Sequence, residues 1–268
     1  MDLGMKGKTA VITGGSQGIG FATAKAFLQE GAQVAFFARD AGRCKSAAES
    51  LAPFGKVYFE AIDATDATAV YGFASRVFHH YGRLDYWINN VGASIRKAGA
   101  EFVDSEIDWI TGVCFKSTIY GCQAAFRYMK QSGGAIVNVS SLAARTPSAG
   151  RSTLYGPLKA AIVNLTTTFA AEYAAYGVRV TCVLPGFTAT TALQAGFSPE
   201  ELKRNAEGTL LQRLADPIEI ARPIVFLASD AASYITAASL EISGGRNVTL
   251  NPTYSFDQKA LEEQENRL

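Results

Sequence analysis

The chain of 268 residues is 48% apolar and nearly neutral, with 25 Lys and Arg against 24 Asp and Glu for a formal charge of +1. That length is long for one average domain but within reach of an undivided α/β fold, and the apolar share suffices for a sizeable core. Scattered, balanced charges give nucleic acid no basic field to bind, no stretch approaches the roughly 18 apolar residues that cross a bilayer, and the first residues lack a secretory apolar region, so a soluble cytoplasmic protein with no nucleic acid or membrane partner is expected.

Short apolar runs alternate with longer segments of helical period. Residues 8–13 read as a first strand, 18–30 as a helix and 33–38 as a second strand. Further strands are expected at 57–62, 86–89, 134–140, 178–184 and 240–242, with helices between them, the longest at 105–130 and 155–176, where Gly177 supplies a stop. Parallel strands need helical crossovers, so the alternation specifies an α/β fold with a single doubly wound, Rossmann-like parallel sheet flanked by helices on both faces. Beyond Asn247 the character changes: Asn251-Pro252 interrupts the chain, and 259–268 reads as a short amphipathic helix or a frayed end. A catalytic domain is therefore expected over 1–250 and a tail over 251–268.

Between the first strand and its helix lies Thr13-Gly14-Gly15-Ser16-Gln17-Gly18-Ile19-Gly20. Gly14, Gly18 and Gly20 permit a tight turn and let a pyrophosphate approach the helix amino terminus and its free amides. At the end of the second strand, Ala38-Arg39-Asp40 should decide the dinucleotide: an acid would bind ribose hydroxyls and repel a 2′-phosphate, and a guanidinium would pair with that phosphate. Further along, Tyr155 precedes Lys159 by four residues, so both lie on one helix face, and a lysine ammonium beside a phenol favours its ionised form. Pro157 falls between them and is tolerated only in a first turn, which sets Tyr155 near the helix start. Ser141 can hold a substrate oxygen by a hydrogen bond while the phenol gives or takes a proton. Cys44, Cys114, Cys122 and Cys182 are dispersed and His79 and His80 are the only histidines, so neither disulfides nor a metal site is expected.

With these motifs the chain resembles the short-chain dehydrogenase/reductase family from about residue 8 to 245. The family patterns T-G-x-x-x-G-x-G, N-N-A-G and S with Y-x-x-x-K correspond to residues 13–20, to Asn89-Asn90-Val91-Gly92, and to Ser141 with Tyr155-Gly156-Pro157-Leu158-Lys159. The resemblance implies an oxidoreductase that interconverts a carbonyl and a secondary alcohol, with Ser141, Tyr155 and Lys159 as catalytic residues and Ser140 structural. It implies a dinucleotide held by Gly14, Ser16, Gln17, Gly18, Ile19, Gly20, Arg39, Asp63, Ala64, Asn90, Gly92, Tyr155, Lys159, Pro185, Gly186, Thr188 and Thr190. By alignment the acid position is Ala38 and Arg39 follows it, which favours NADP(H) over NAD(H). The alternatives stay open: Arg39 as a solvated loop charge with Asp40 on the ribose of NAD, and Asp63 as a helix cap near Thr65 and Asp66 instead of an adenine contact. Asn89 reads as mainly structural.

One departure stands out. The family commonly carries an asparagine that supports a water linking the lysine to solvent, and Cys114 aligns with it. A thiol lacks the amide's paired donor and acceptor, which leaves a small buried residue with the relay rerouted, a misaligned helix, or impaired catalysis. A substrate lid is expected at about 188–214, with Leu193, Phe197, Leu202, Leu210 and Leu211, joined by Ile95 and Phe187, as apolar contacts for a ring-bearing or apolar ketone. Arg96, Lys97, Arg145 and Arg151 border the expected pocket, and Arg127 and Lys130 are candidate docking charges for an acyl carrier protein. The readings carried forward are a ketone reductase, a family member using NAD, a 3-oxoacyl thioester reductase, and a catalytically weak nucleotide-binding regulator. A homotetramer or homodimer through the two long helices is implied.

Overall fold

The computed structural model describes residues 2–97, 102–147 and 152–265. Seven strands form one parallel sheet: β1 Thr9–Thr13, β2 Gln33–Ala38, β3 Val57–Ala61, β4 Tyr86–Asn89, β5 Gly134–Val139, β6 Val178–Pro185 and β7 Ser239–Ile242, in the spatial order β3-β2-β1-β4-β5-β6-β7. Each strand differs from its sequence expectation by at most one residue at either end.

Strand side chains alternate between two apolar layers. Ala10 and Ile12 of β1, Val34 and Phe36 of β2, Tyr86 and Ile88 of β4 pack on one face, whereas Val11, Ala35, Phe37 and Trp87 pack on the other. A period of two with both sets apolar is what a parallel sheet covered twice demands. The first face is covered by α1 Gly18–Gln29, α2 Ala41–Leu51 and α9 Pro217–Ala228; the second by α3 Ala67–Tyr81, α5 Ser117–Met129 and α6 Tyr155–Tyr173. The remaining helices are α4 Asp104–Thr111, the short α7 Thr191–Gly196 and α8 Pro199–Glu207, and α10 Tyr254–Glu265 in the tail.

The expected helix over 105–130 is not continuous. A π turn at Gly112–Lys116 separates α4 from α5. Two side-chain hydroxyls bond to its carbonyls: Ser117 Oγ donates to Val113 O at 2.6 Å and Thr118 Oγ1 to Cys114 O at 3.4 Å. Hydrophobic periodicity does not register one extra residue per turn, so the sequence reading runs straight through it. The other long helix ends in a 3₁₀ turn, Ala174–Tyr176, and Gly177 closes it in the left-handed conformation at φ 67°. In the tail, the helix starts at Tyr254, ahead of the expected 259.

A buried polar chain links β4, β5 and α6. Trp87 Nε1 donates to Asn89 Oδ1 at 2.8 Å, Asn89 Nδ2 to Asn138 Oδ1 at 2.8 Å, Asn138 Nδ2 to Thr166 Oγ1 at 3.0 Å, and Thr166 Oγ1 to Ile162 O at 2.8 Å. Gly121 of α5 lies against it, where a Cβ would overlap Asn89 Oδ1 and come within 2.6 Å of Trp87 Nε1. Gly121→Ala should therefore destabilise the protein by about 2 kcal/mol, the cost of overpacking a filled core, and lower Tm by about 5 °C for a chain of this size. A melting curve unchanged from wild type would refute the tight fit.

At the start of α9 the Arg213 guanidinium forks onto Glu219, with both N···O distances 2.6 Å, and holds that carboxyl down to about 2 from 4.5. A depressed carboxyl stabilises above its unfolded value and loses that contribution as pH falls through the folded one. Glu219→Gln should thus be less stable than wild type at pH 7 and converge with it as pH falls from about 4.5 toward 2. Chemical denaturation across that range checks the convergence; a constant difference in stability would count against it.

Candidate active site

The sheet order reverses between β1 and β4, and a cleft of about 800 Å³ opens there at the carboxyl ends of the strands. Every expected dinucleotide contact except Gly20 lines it, together with Ser141. Gly20 works from behind: a Cβ there would collide with Gly14 O and approach Asn90 Nδ2 to 2.7 Å, so its absence lets α1 close against the turn. Gly14 and Gly18 adopt φ of 69° and 56°, conformations that disfavour side chains. The first turn of α1 has no side-chain cap and no acidic residue. Its amides and positive dipole end therefore face the cleft uncompensated, and this set of groups fits a dinucleotide pyrophosphate.

Asn90 is more than a cleft residue. Its backbone amide donates to Thr13 Oγ1 at 2.9 Å and its side-chain amide to Thr13 O at 3.0 Å, clasping the end of β4 to the end of β1. Asp63 faces the cleft and accepts from Thr65 N and Oγ1, both at 2.8 Å, whereas Asp66 caps α3 through Ala69 N. Asp40 is the cap of α2, accepting from Arg43 N at 2.8 Å. Arg43, which the sequence reading passed over, also lines the cleft and donates to Gln17 Oε1 at 3.4 Å. Its signal was legible: the third residue after an N-cap aspartate, next to the end of the second strand.

On the opposite wall α6 starts at Tyr155, with Pro157 in its first turn as expected. Lys159 is 2% exposed; its Nζ donates to Val139 O at 2.8 Å and stands 5.6 Å from the centroid of the Tyr155 ring. Gly92 abuts the same ammonium, and a Cβ there would lie 3.0 Å from Nζ. Ser141 Oγ accepts from Ala143 N at 3.2 Å, which leaves its hydroxyl proton for another acceptor. Ser140 Oγ donates to Lys159 O at 2.7 Å and so fixes the helix against β5.

Cys114 sits in the π turn, fully buried, with its thiol donating to Ala93 O at 3.0 Å. It is the small, buried residue of the first sequence alternative, and it fastens the loop that carries Gly92. Burial pushes the Cys122 thiol up to about 12 and Cys182 up to about 11, which keeps both protonated at neutral pH. No group of three metal-ligating side chains occurs among the described residues, and no helix among them is long and apolar enough to cross a membrane.

The substrate side matches its expectation less closely. Leu193 lines the cleft and Phe187 meets Phe197 edge-on at 5.8 Å, but Leu210 and Leu211 are 39% and 58% exposed. Arg96 pairs with Glu201, Lys97 with Glu106 and Arg145 with Glu241, at 3.0, 2.9 and 3.2 Å, so these cations are engaged with the protein's own carboxylates. Arg151 lies outside the described residues. Arg127 lays its guanidinium over the Tyr71 ring at 4.6 Å.

A family model described as enoyl-(acyl carrier protein) reductase matches residues 14–247. A 3-oxoacyl-[acyl-carrier-protein] reductase of Chlamydia pneumoniae is 34% identical, over 91% of this chain and 99% of its own length. A cis-4-hydroxycyclohexanecarboxylate dehydrogenase of Sinomonas cyclohexanicum is 37% identical, over 89% and 96%. Among solved structures, L-sorbose reductase from Gluconobacter frateurii, in complex with NADPH and L-sorbose, superposes with a TM-score of 0.86 at 31% identity, covering 93% of this chain and all of that one. A match across nearly the whole length, on the same sheet and with the motifs gathered at the switch point, makes this chain a member of the short-chain dehydrogenase/reductase family, an oxidoreductase of the kind that uses NAD(P).

Proposed function

We propose that the chain is an NADP(H)-dependent reductase that interconverts a ketone and a secondary alcohol, with Ser141, Tyr155 and Lys159 as its catalytic residues. The observation that carries this reading is the convergence of a hydroxyl with a free proton, a phenol and a buried ammonium on one wall of the dinucleotide cleft. A bound nicotinamide supplies or accepts the hydride. Ser141 donates a hydrogen bond to the carbonyl oxygen, and Tyr155 gives that oxygen its proton in reduction and takes it back in oxidation. Lys159, held by Val139 O, keeps a positive charge beside the phenol, and Gly92 leaves the ammonium uncrowded. Burial of Lys159 makes its charge act more strongly on its neighbours than it would in water.

Arg39 in the cleft favours NADP(H), as does the commitment of Asp40 to its capping bond. NADPH in the sorbose reductase complex supports the same choice by likeness. Phe187, Leu193 and Phe197 favour a ring-bearing or apolar ketone. The acyl-carrier-protein substrate named for the chlamydial relative supports 3-oxoacyl thioesters as the second class to test. We take residues 1–250 as one catalytic domain with its lid at 188–214 and the remainder as a tail. We expect a cytoplasmic homodimer or homotetramer, for which the exposed Val103, Ile107 and Trp109 on α4 offer apolar surface.

Turnover of NADPH and NADH over ketones, quinones, aldehydes and acyl thioesters tests the reading. NADPH should exceed NADH in kcat/KM by about tenfold or more, the equivalent of one charge-assisted hydrogen bond. Tyr155→Phe should retain cofactor binding and lose about 10²- to 10⁴-fold in kcat. Full activity in that variant would overturn the assignment, and cofactor binding without any turnover in the wild type would favour the regulatory reading.

Cys114 generates a separate expectation. Cys114→Ser keeps a donor for Ala93 O and should stay within about threefold of wild type, whereas Cys114→Ala leaves that carbonyl unpaired and should lower turnover about fivefold, near 1 kcal/mol. Indistinguishable rates for the two variants would mean that the thiol only fills space.

A further inference from the structure

We infer that Arg43 is a second determinant of dinucleotide choice, holding the ribose 2′-phosphate jointly with Arg39; the inference rests on the NADP(H) reading above. The placement of Arg43 follows from the cap of α2. Asp40 accepts the Arg43 main-chain amide at 2.8 Å, which fixes residue 43 as the third position of the helix. Helical side chains lean toward the amino terminus, and that lean carries the guanidinium back over the first turn toward the glycine-rich turn, where Nη1 meets Gln17 Oε1 at 3.4 Å. Arg43 therefore spans from α2 to the turn across the rim of the cleft, which Arg39, directly after β2, also lines.

The charge balance at this rim suits a dianion. Two guanidinium groups, Arg39 and Arg43, face one carboxylate, Asp40. Asp40 spends Oδ1 on the cap, and its Oδ2 stays 3.9 Å from Arg43 Nε in a pair whose side chains are 58% and 65% exposed. Such an exposed contact orients Arg43 loosely and binds it weakly. Gln17 contributes an acceptor without charge, so it can position the guanidinium without competing for an anion. Asp63, the other carboxylate lining the cleft, lies at the end of β3 and is occupied by Thr65. A phosphate monoester carries close to two negative charges at neutral pH and matches the fork of two guanidinium groups.

Calorimetric binding of adenosine 2′,5′-bisphosphate and of AMP separates the 2′-phosphate from everything else, without turnover. Wild type should bind the bisphosphate at least about tenfold more tightly. Arg43→Ala should weaken the bisphosphate about tenfold and leave AMP within about twofold, with Arg43→Lys in between, since a lysine keeps the charge and loses the fork. The capping bond uses the main-chain amide of residue 43, so truncating the side chain leaves the α2 cap in place. Loss in Arg39→Ala but not in Arg43→Ala would overturn the inference and leave the NADP(H) reading standing. Equal binding of the two nucleotides by wild type would remove both, and equal weakening of both nucleotides in Arg43→Ala would show that Arg43 does not recognise the 2′-phosphate.

Discussion

A parallel sheet must be covered on both faces, and this constraint organises everything else in the molecule. The chain fills one direction from β1 through β2 to β3 and then returns to begin β4 on the other side of β1. Helices leaving neighbouring strands in opposite directions cannot close over the gap between them, so a crevice remains at the ends of β1 and β4. The clasp of Asn90 onto Thr13 holds the two strand ends together at the floor of that crevice. Close packing of α1 on the turn, which only glycine at position 20 permits, brings the helix amides to its edge.

The polar groups of the site survive burial because each has a partner supplied by the backbone of a neighbouring element. Lys159 donates a hydrogen bond to Val139 O, Ser140 holds the carbonyl of Lys159, and Cys114 ties down Ala93 O. The first two bonds register α6 against the end of β5, and the third fastens the loop at 91–93 to the π turn. Beneath them, the chain from Trp87 to Thr166 links three elements through consecutive side-chain hydrogen bonds. An unpaired polar atom at such depth would cost more than any one of these bonds contributes, and that asymmetry makes the arrangement rigid. The π turn belongs to the same scheme, since it places Val113 at the cleft and Cys114 against the loop, while Ser117 and Thr118 bond to its carbonyls.

The two ends of the cleft obey different physics. Around Lys159, buried groups act over short distances in a medium that screens little. At the rim that carries Arg39, Asp40 and Arg43 the side chains are exposed, and water and salt weaken each contact. In the segment after β6, α8 starts with a capping box between Ser198 and Glu201, and Arg96 reaches Glu201 from the loop after β4. The cations that sequence alone would offer to a substrate carboxylate are consumed in bridges of this sort.

Local chemistry decided much by itself. Alternating apolar runs determined the strands to within a residue because burial on two faces leaves no other pattern. Pro157 determined where α6 begins because its ring excludes an interior position, and the spacing of Tyr155 and Lys159 determined that they share a face. That residues from Gly14 to Thr190 gather around one cleft was legible through the family motif. Tertiary structure alone decided the π turn and the thiol bond of Cys114, the capping duty of Asp40, the reach of Arg43 to Gln17 and the pairing of Arg96, Lys97 and Arg145. The reason is common to these cases. A hydrogen bond or ion pair between groups far apart in sequence depends on where the sheet and its crossovers bring them, and periodicity carries no information about the partner.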